Sequence, residues 1–136
     1  MPSLAAPLTG SCACGAVGFE VRAPFRGAGY CHCKRCQRRS GALWSLNAQA
    51  PAEAFAIVRG REHICVWAPP DGLPKAFCGE CGGHLYSDGG EVIGVRLGAV
   101  DGDPGIRPQW RQWLESAPEW EAIPEDGLPR FPRGRH

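Results

Sequence analysis

Eight cysteines, seven of them in three tight groups, constrain this chain more than any other feature. Cys12 and Cys14 stand as C-x-C, Cys31, Cys33 and Cys36 as C-x-C-x-x-C, and Cys78 and Cys81 as C-x-x-C, while Cys65 stands alone. In a reducing compartment such spacings mark metal ligands or catalytic thiols rather than disulfides. The cytoplasm is the expected compartment. The first ten residues hold two prolines, no basic residue and no apolar run of the signal-peptide kind, and no stretch approaches the roughly 20 apolar residues of a membrane span.

Zinc takes about four ligands in a tetrahedron with zinc–sulfur distances of roughly 2.3 Å, so paired thiolates must come closer than strand side chains normally do. A tight turn carrying C-x-x-C achieves this, and Cys78-Gly79-Glu80-Cys81-Gly82-Gly83 has the glycines such a turn needs. Cys12-Ala13-Cys14-Gly15 is a second half-site of the same kind. The two together make one closed four-thiolate site that staples an N-terminal strand to a later hairpin, with metal binding contributing directly to folding. The middle group, Cys31-His32-Cys33-Lys34-Arg35-Cys36, offers three thiols and no partner pair. Three protein ligands plus an exchangeable position is how catalytic zinc is usually built. If Cys65 or His32 completes the group, the second site is closed and structural; if neither does, it is open to water or substrate. Cys65 lies in the apolar run Ile64-Cys65-Val66-Trp67, where a lone cysteine reads as a small buried residue. His32 is expected to point away from its flanking cysteines, facing solvent or hydrogen-bonded.

The length of 136 residues suits one domain. Nineteen glycines and thirteen prolines imply many turns and no long helix. Period-two alternation of Val17, Phe19 and Val21 with polar or small neighbours predicts a strand, and similar runs at 43–47, 54–58, 64–68, 75–77, 84–87 and 92–100 predict a mostly antiparallel β fold. A short helical turn is expected over 34–39, and 110–120 suits either a strand or a turn. Residues 1–8 and 132–136 read as loosely held ends around a domain at 9–131. Fifteen basic and fourteen acidic residues leave a net charge of +1, which argues against a nucleic-acid or anionic-membrane partner.

The ordered motifs Gly10-Ser11-Cys12-Ala13-Cys14-Gly15, Cys31-His32-Cys33-Lys34-Arg35-Cys36-Gln37 with Ser40-Gly41-Ala42, and Phe77-Cys78-Gly79-Glu80-Cys81-Gly82 resemble the glutathione-dependent formaldehyde-activating enzyme family, also called centromere-protein-V-like. The resemblance continues through Val95-Arg96-Leu97-Gly98 and Asp101-Gly102-Asp103 to Asp126-Gly127-Leu128-Pro129 and Phe131. It implies a single-domain β fold of the β-tent type stapled by zinc. It also implies two zinc ions, a structural one on Cys12, Cys14, Cys78 and Cys81 and a catalytic one on Cys31, Cys33 and Cys36. The activity implied is a carbon–sulfur lyase type, condensing glutathione with formaldehyde to S-hydroxymethylglutathione or reversing that step. The chain departs from the family pattern where Arg111-Gln112 stand in place of a common His-Ile and where Gly83 is followed by His84 rather than threonine.

A zinc on three thiolates prefers a soft fourth ligand, which a substrate thiol such as glutathione supplies. Lys34, Arg35, Arg38 and Arg39 flank the metal loop and could hold the carboxylates of that thiol through charge-assisted hydrogen bonds; a solvated basic turn offsetting thiolate charge is the plainer reading. Trp44 could wall a substrate cleft, although core filler, which needs no function, is the favoured reading for it and for Trp110, Trp113 and Trp120. The other function class open to the sequence is a non-catalytic zinc module that binds a partner through the 34–39 patch.

Overall fold

The structure, a computed structural model, describes residues 4–135. Ten strands and one α-helix, with short 3-10 turns between them, are arranged as two sheets. The smaller sheet has the order β1 (Leu8–Ser11), β2 (Gly18–Val21), β5 (Phe55–Arg59), all antiparallel. The larger runs β10 (Arg111–Gln112), β3 (Gly27–Cys31), β4 (Ser45–Pro51), β9 (Val92–Arg96), β8 (His84–Asp88), β7 (Lys75–Cys78), β6 (Ile64–Trp67). Among the described residues its one parallel strand–strand pairing is the two-residue β10 against β3. The mainly β, antiparallel expectation therefore holds.

The alternation that predicted β2 is what packs the sheets together. Phe19 and Val21 are fully buried beside Val17, and they meet Leu85 and Val95 of the larger sheet in one core. Phe55 bridges the sheets, its ring 5.4 Å from Phe19 and 4.9 Å from Tyr86. Such aromatic pairs add to the stabilisation that burial alone gives.

β3 was not legible from periodicity because Gly27-Ala28-Gly29 presents almost no side chain. The reason is Trp110, whose indole lies over β3 so closely that a Cβ at Gly29 would overlap it. A small-residue strand under a large ring is a packing solution that composition alone does not announce.

α1 (Lys34–Ser40) is the expected helical turn, extended by one residue, and lies in the connection between β3 and β4. From β10 onward the chain forms a strap. Arg111 bridges to Arg130 in parallel, Phe131 N donates to Arg111 O at 2.8 Å, and Trp113 N donates to Arg133 O at 3.0 Å. At the other end, Leu4 N donates to Arg22 O at 3.0 Å. Of the two ends expected to be loosely held, residues 1–3 and 136 lie outside the described residues. No helix among the described residues is long and apolar enough to cross a membrane.

Candidate metal centres

Cys12 and Cys14 sit in the turn between β1 and β2, Cys78 ends β7 and Cys81 lies in the turn from β7 to β8, so four thiols from different sheets converge. All four sulfurs lie within 4.8 Å of one another. The Cys12–Cys14 separation is 3.7 Å and the Cys14–Cys78 separation 3.9 Å. A tetrahedral zinc thiolate site sets its sulfurs about 3.8 Å apart, so the donor set fits such an ion.

The backbone prepares the same sulfurs for negative charge. Val17 N–H points at Cys12 Sγ (3.2 Å), Glu80 N–H at Cys78 Sγ (3.3 Å) and Gly83 N–H at Cys81 Sγ (3.4 Å). The N–H groups of Cys14 and Gly83 bring the Cys81 thiol down to about 6. Gly82 makes the turn possible, since its φ of 76° lies in the left-handed region and its N–H returns to Cys78 O at 2.8 Å.

The second cluster is built by one connection. Cys31 ends β3, Cys33 caps α1 and Cys36 lies in the first turn of that helix. The Cys33 sulfur accepts from Cys36 N–H at 3.3 Å, a capping contact that folds the two thiols onto one side. All three sulfurs lie within 4.8 Å of one another, and no fourth cysteine, histidine or carboxylate joins them among the described residues. Ser45 Oγ donates to Cys36 Sγ at 3.2 Å, and Asn47 Nδ2 donates in turn to Ser45 Oγ at 3.1 Å. The neighbouring Cys31 and Cys33 thiols hold Cys36 below the ordinary thiol value, and crowding by Cys33 and Cys36 pushes Cys31 up.

Buried Gln37 locks the loop by donating from Nε2 to His32 O and to Ser116 O, each at 2.9 Å. His32 itself is fully buried, so its solvent-facing reading is corrected in favour of the hydrogen-bonded one. Arg111 Nη1 lies 3.3 Å from His32 Nε2. Burial, with Arg111 and Arg130 nearby, holds the imidazole below its ordinary value, so it is neutral near pH 7 and accepts that guanidinium proton. Arg111 also pairs with Asp126 at 2.8 Å and stacks on Tyr30 with its guanidinium carbon 4.1 Å from the ring centre.

Cys65 is exposed rather than buried, because β6 is the outer strand of the larger sheet and leaves Cys65, Val66 and Trp67 uncovered. It joins neither cluster. Trp120 (76% exposed) and Trp44 (39% exposed) are likewise surface residues and not core filler. Trp44 packs edge-on against Tyr30 with ring centres 5.5 Å apart.

Of the basic residues singled out beside the metal loop, Arg35 and Arg39 line a small cavity that Cys36 also borders. They and Arg38 form a wider groove with Trp67, and Arg35 pairs there with Asp71. Lys34 instead turns to Gln37 Oε1 at 3.4 Å, and neither it nor Trp44 lines the cavity or the groove. The small cavity takes its remaining walls from Ser40, Ser45, Lys75, His84 and Arg96, to which the sequence alone assigns no site role. For Arg96 there was a usable sign, a charge inside the apolar run Val92-Ile93-Gly94-Val95 and Leu97. Burial brings Arg96 down to about 10, and burial with Arg39 and Arg96 holds His84 at about 4.

A family model described as glutathione-dependent formaldehyde-activating enzyme matches residues 7–116. A Halomonas elongata protein named "Putative glutathione-dependent formaldehyde-activating enzyme" is 31% identical over 127 residues, covering 85% of this chain and 80% of that protein. A Sordaria macrospora protein of the same name is 32% identical over 56 residues, which are 41% of this chain and 24% of that protein. A crystal structure of a Rhodobacter sphaeroides protein superposes with a TM-score of 0.60 over 90% of this chain and 98% of that one, at 24% identity, and shares the fold.

Proposed function

Because this chain belongs to the glutathione-dependent formaldehyde-activating enzyme family, we propose that it is a cytoplasmic zinc enzyme which adds the thiol of glutathione to formaldehyde and catalyses the reverse carbon–sulfur cleavage. In this reading the domain spans 9–131 and carries two zinc ions. Cys12, Cys14, Cys78 and Cys81 hold a structural ion, and Cys31, Cys33 and Cys36 hold the reactive one. The observation that carries it is the three-thiol cluster on one rigid connection, with no fourth protein ligand among the described residues and a cationic cavity beside it.

A zinc ion held there supplies Lewis acidity that favours the thiolate form of a substrate thiol at neutral pH. The chain's own groups do the rest. Cys36 N–H and Ser45 Oγ–H stabilise the charge on the cysteine sulfurs, and Gln37 keeps Cys31 and Cys33 in place by tying the loop to the 3-10 turn Leu114–Ser116. Arg35, Arg38 and Arg39, with Trp67, offer a groove whose charge suits the carboxylates of glutathione, and Arg35 and Arg39 also border the inner cavity.

The test is the exchange between formaldehyde, glutathione and S-hydroxymethylglutathione, followed by exchange NMR with and without protein. Acceleration above the spontaneous rate, together with calorimetric binding of glutathione, is the expected result. Neither acceleration nor binding would make the chain a zinc-binding interaction module instead.

A further inference from the structure

The cavity beside Cys36 has a volume of about 10 Å³, room for one water-sized group. Arg35, Arg39, Lys75 and Arg96 line it, Arg35 being paired with Asp71, and no carboxylate is among its lining residues. Arg96 donates from Nη1 to Gly94 O (3.1 Å) and from Nη2 to Ser87 Oγ (3.0 Å), yet its Nε is buried without a partner. Arg39 Nη2 is buried without a partner too. Lys75 Nζ donates to Leu73 O at 3.2 Å and has two more hydrogens to give.

Buried donors left unpaired are costly, and two of the residues that line this cavity each carry one, which favours an acceptor there. Offsetting the charge of the neighbouring thiolates accounts for the positive charge but not for the two unpaired N–H groups, and the Cys36 sulfur already has Ser45 Oγ. Size then selects the acceptor. A carboxylate or phosphate needs several heavy atoms' worth of space, whereas one oxygen atom fits.

We infer, building on the reading under Proposed function, that this cavity receives the carbonyl oxygen of the aldehyde, and that Arg39, Lys75 and Arg96 are catalytic residues holding the oxyanion formed there. The sulfur lone pair of the thiolate forms the new S–C bond while the carbonyl π pair moves onto oxygen. That oxygen takes a proton from water, equal to the one the thiol gave up, so the sum is addition of RSH across C=O with nothing oxidised or reduced. Directed donors at the place where charge develops are among the largest contributions an enzyme makes to such a step. The outer groove and the inner cavity adjoin at Arg35 and Arg39, which line both; the groove, with Arg38 and Trp67, holds the thiol's own carboxylates, and the inner cavity holds only the aldehyde oxygen.

Arg96→Gln, Arg96→Lys and Lys75→Met in the full, metal-loaded chain test this with three readouts: the NMR exchange rate, calorimetric glutathione affinity and the visible spectrum of the cobalt-substituted protein. Arg96→Gln should lose on the order of 100-fold of the catalysed rate, while glutathione affinity and cobalt spectrum stay as in wild type. Arg96→Lys should recover part of the rate. A variant with intact spectrum whose rate stays within about threefold of wild type overturns the inference, and so does glutathione affinity falling in step with the rate, which would assign the cavity to the thiol's carboxylates. Should Arg96→Gln fail to fold, Lys75→Met decides by the same criteria. A wild type that neither binds glutathione nor accelerates exchange overturns the parent reading and this inference together; an active wild type with equally active variants overturns this inference alone.

Discussion

Cys12, Cys14, Cys78 and Cys81 come from two turns that belong to different sheets, whereas Cys31, Cys33 and Cys36 come from a single connection between the neighbouring strands β3 and β4. The first cluster spans the molecule. The second closes only a short local loop. Their surroundings differ as well: backbone N–H groups point at three of the four sulfurs in the first, while the second borders a cavity walled by Arg39, Lys75 and Arg96. A metal that links distant segments is folding energy, because the unfolded chain holds no preformed site for it. A metal held by one loop adds little to closure and can be given up to chemistry. In the proposed reading, the same donor atom serves two ends according to how far apart in sequence its partners lie.

The largest effect expected from breaking this contrast is that of Cys81→Ser. It removes one ligand of the inter-sheet cluster and should destabilise the domain by roughly 4 kcal/mol or more. Thermal unfolding and elemental analysis check it; wild-type melting with full metal content would remove the stapling role. Cys36→Ser should do the opposite. It weakens the metal of the second cluster and abolishes its response to added thiol, yet shifts stability by no more than about 1 kcal/mol, which circular dichroism and metal analysis can separate.

The two clusters were legible in the sequence because metal geometry restricts spacing, and C-x-C and C-x-x-C report that restriction locally. Strands β2, β7 and β8 were legible through their alternation. What was hidden depended on three-dimensional neighbours. β3 was hidden because Gly27 and Gly29 make room for Trp110, about eighty positions later. The exposure of Cys65 was hidden because apolar content says nothing about whether a strand lies at an edge. His32 reads as a polar residue between ligands, and only the return of Arg111 along the strap puts it in the interior. Lys75, His84 and Arg96 come from β7, β8 and β9, adjacent strands that no linear motif joins.

A smaller effect sharpens the electrostatic half of the contrast. His84 is held at about 4 by burial and by Arg39 and Arg96, below its ordinary 6.5, so the unfolded chain binds more protons between those values. The stability this contributes is complete above about pH 6.5 and is lost as pH falls toward 4. His84→Gln should remove about 1 kcal/mol of that acid dependence after allowance for solvent screening, measured as the difference in urea-unfolding free energy between pH 7.5 and 5.5 in the two proteins. An unchanged difference would remove His84 from the cationic cavity's charge balance. Smallest of all is Cys65→Ala. As the one cysteine in neither cluster, it should leave metal content unchanged and stability within about 0.5 kcal/mol. Loss of a metal in this variant would add Cys65 to the second cluster and erase the contrast.

The difference between a closed and an open cluster is tested most directly by titrating glutathione into the cobalt-substituted protein and following its thiolate charge-transfer and ligand-field bands. Wild type should show a saturable change at one of two cobalt sites, Cys65→Ala the same change, and Cys36→Ser none. A wild-type spectrum that excess glutathione leaves untouched would contradict the open site and leave two closed metal centres in a binding module.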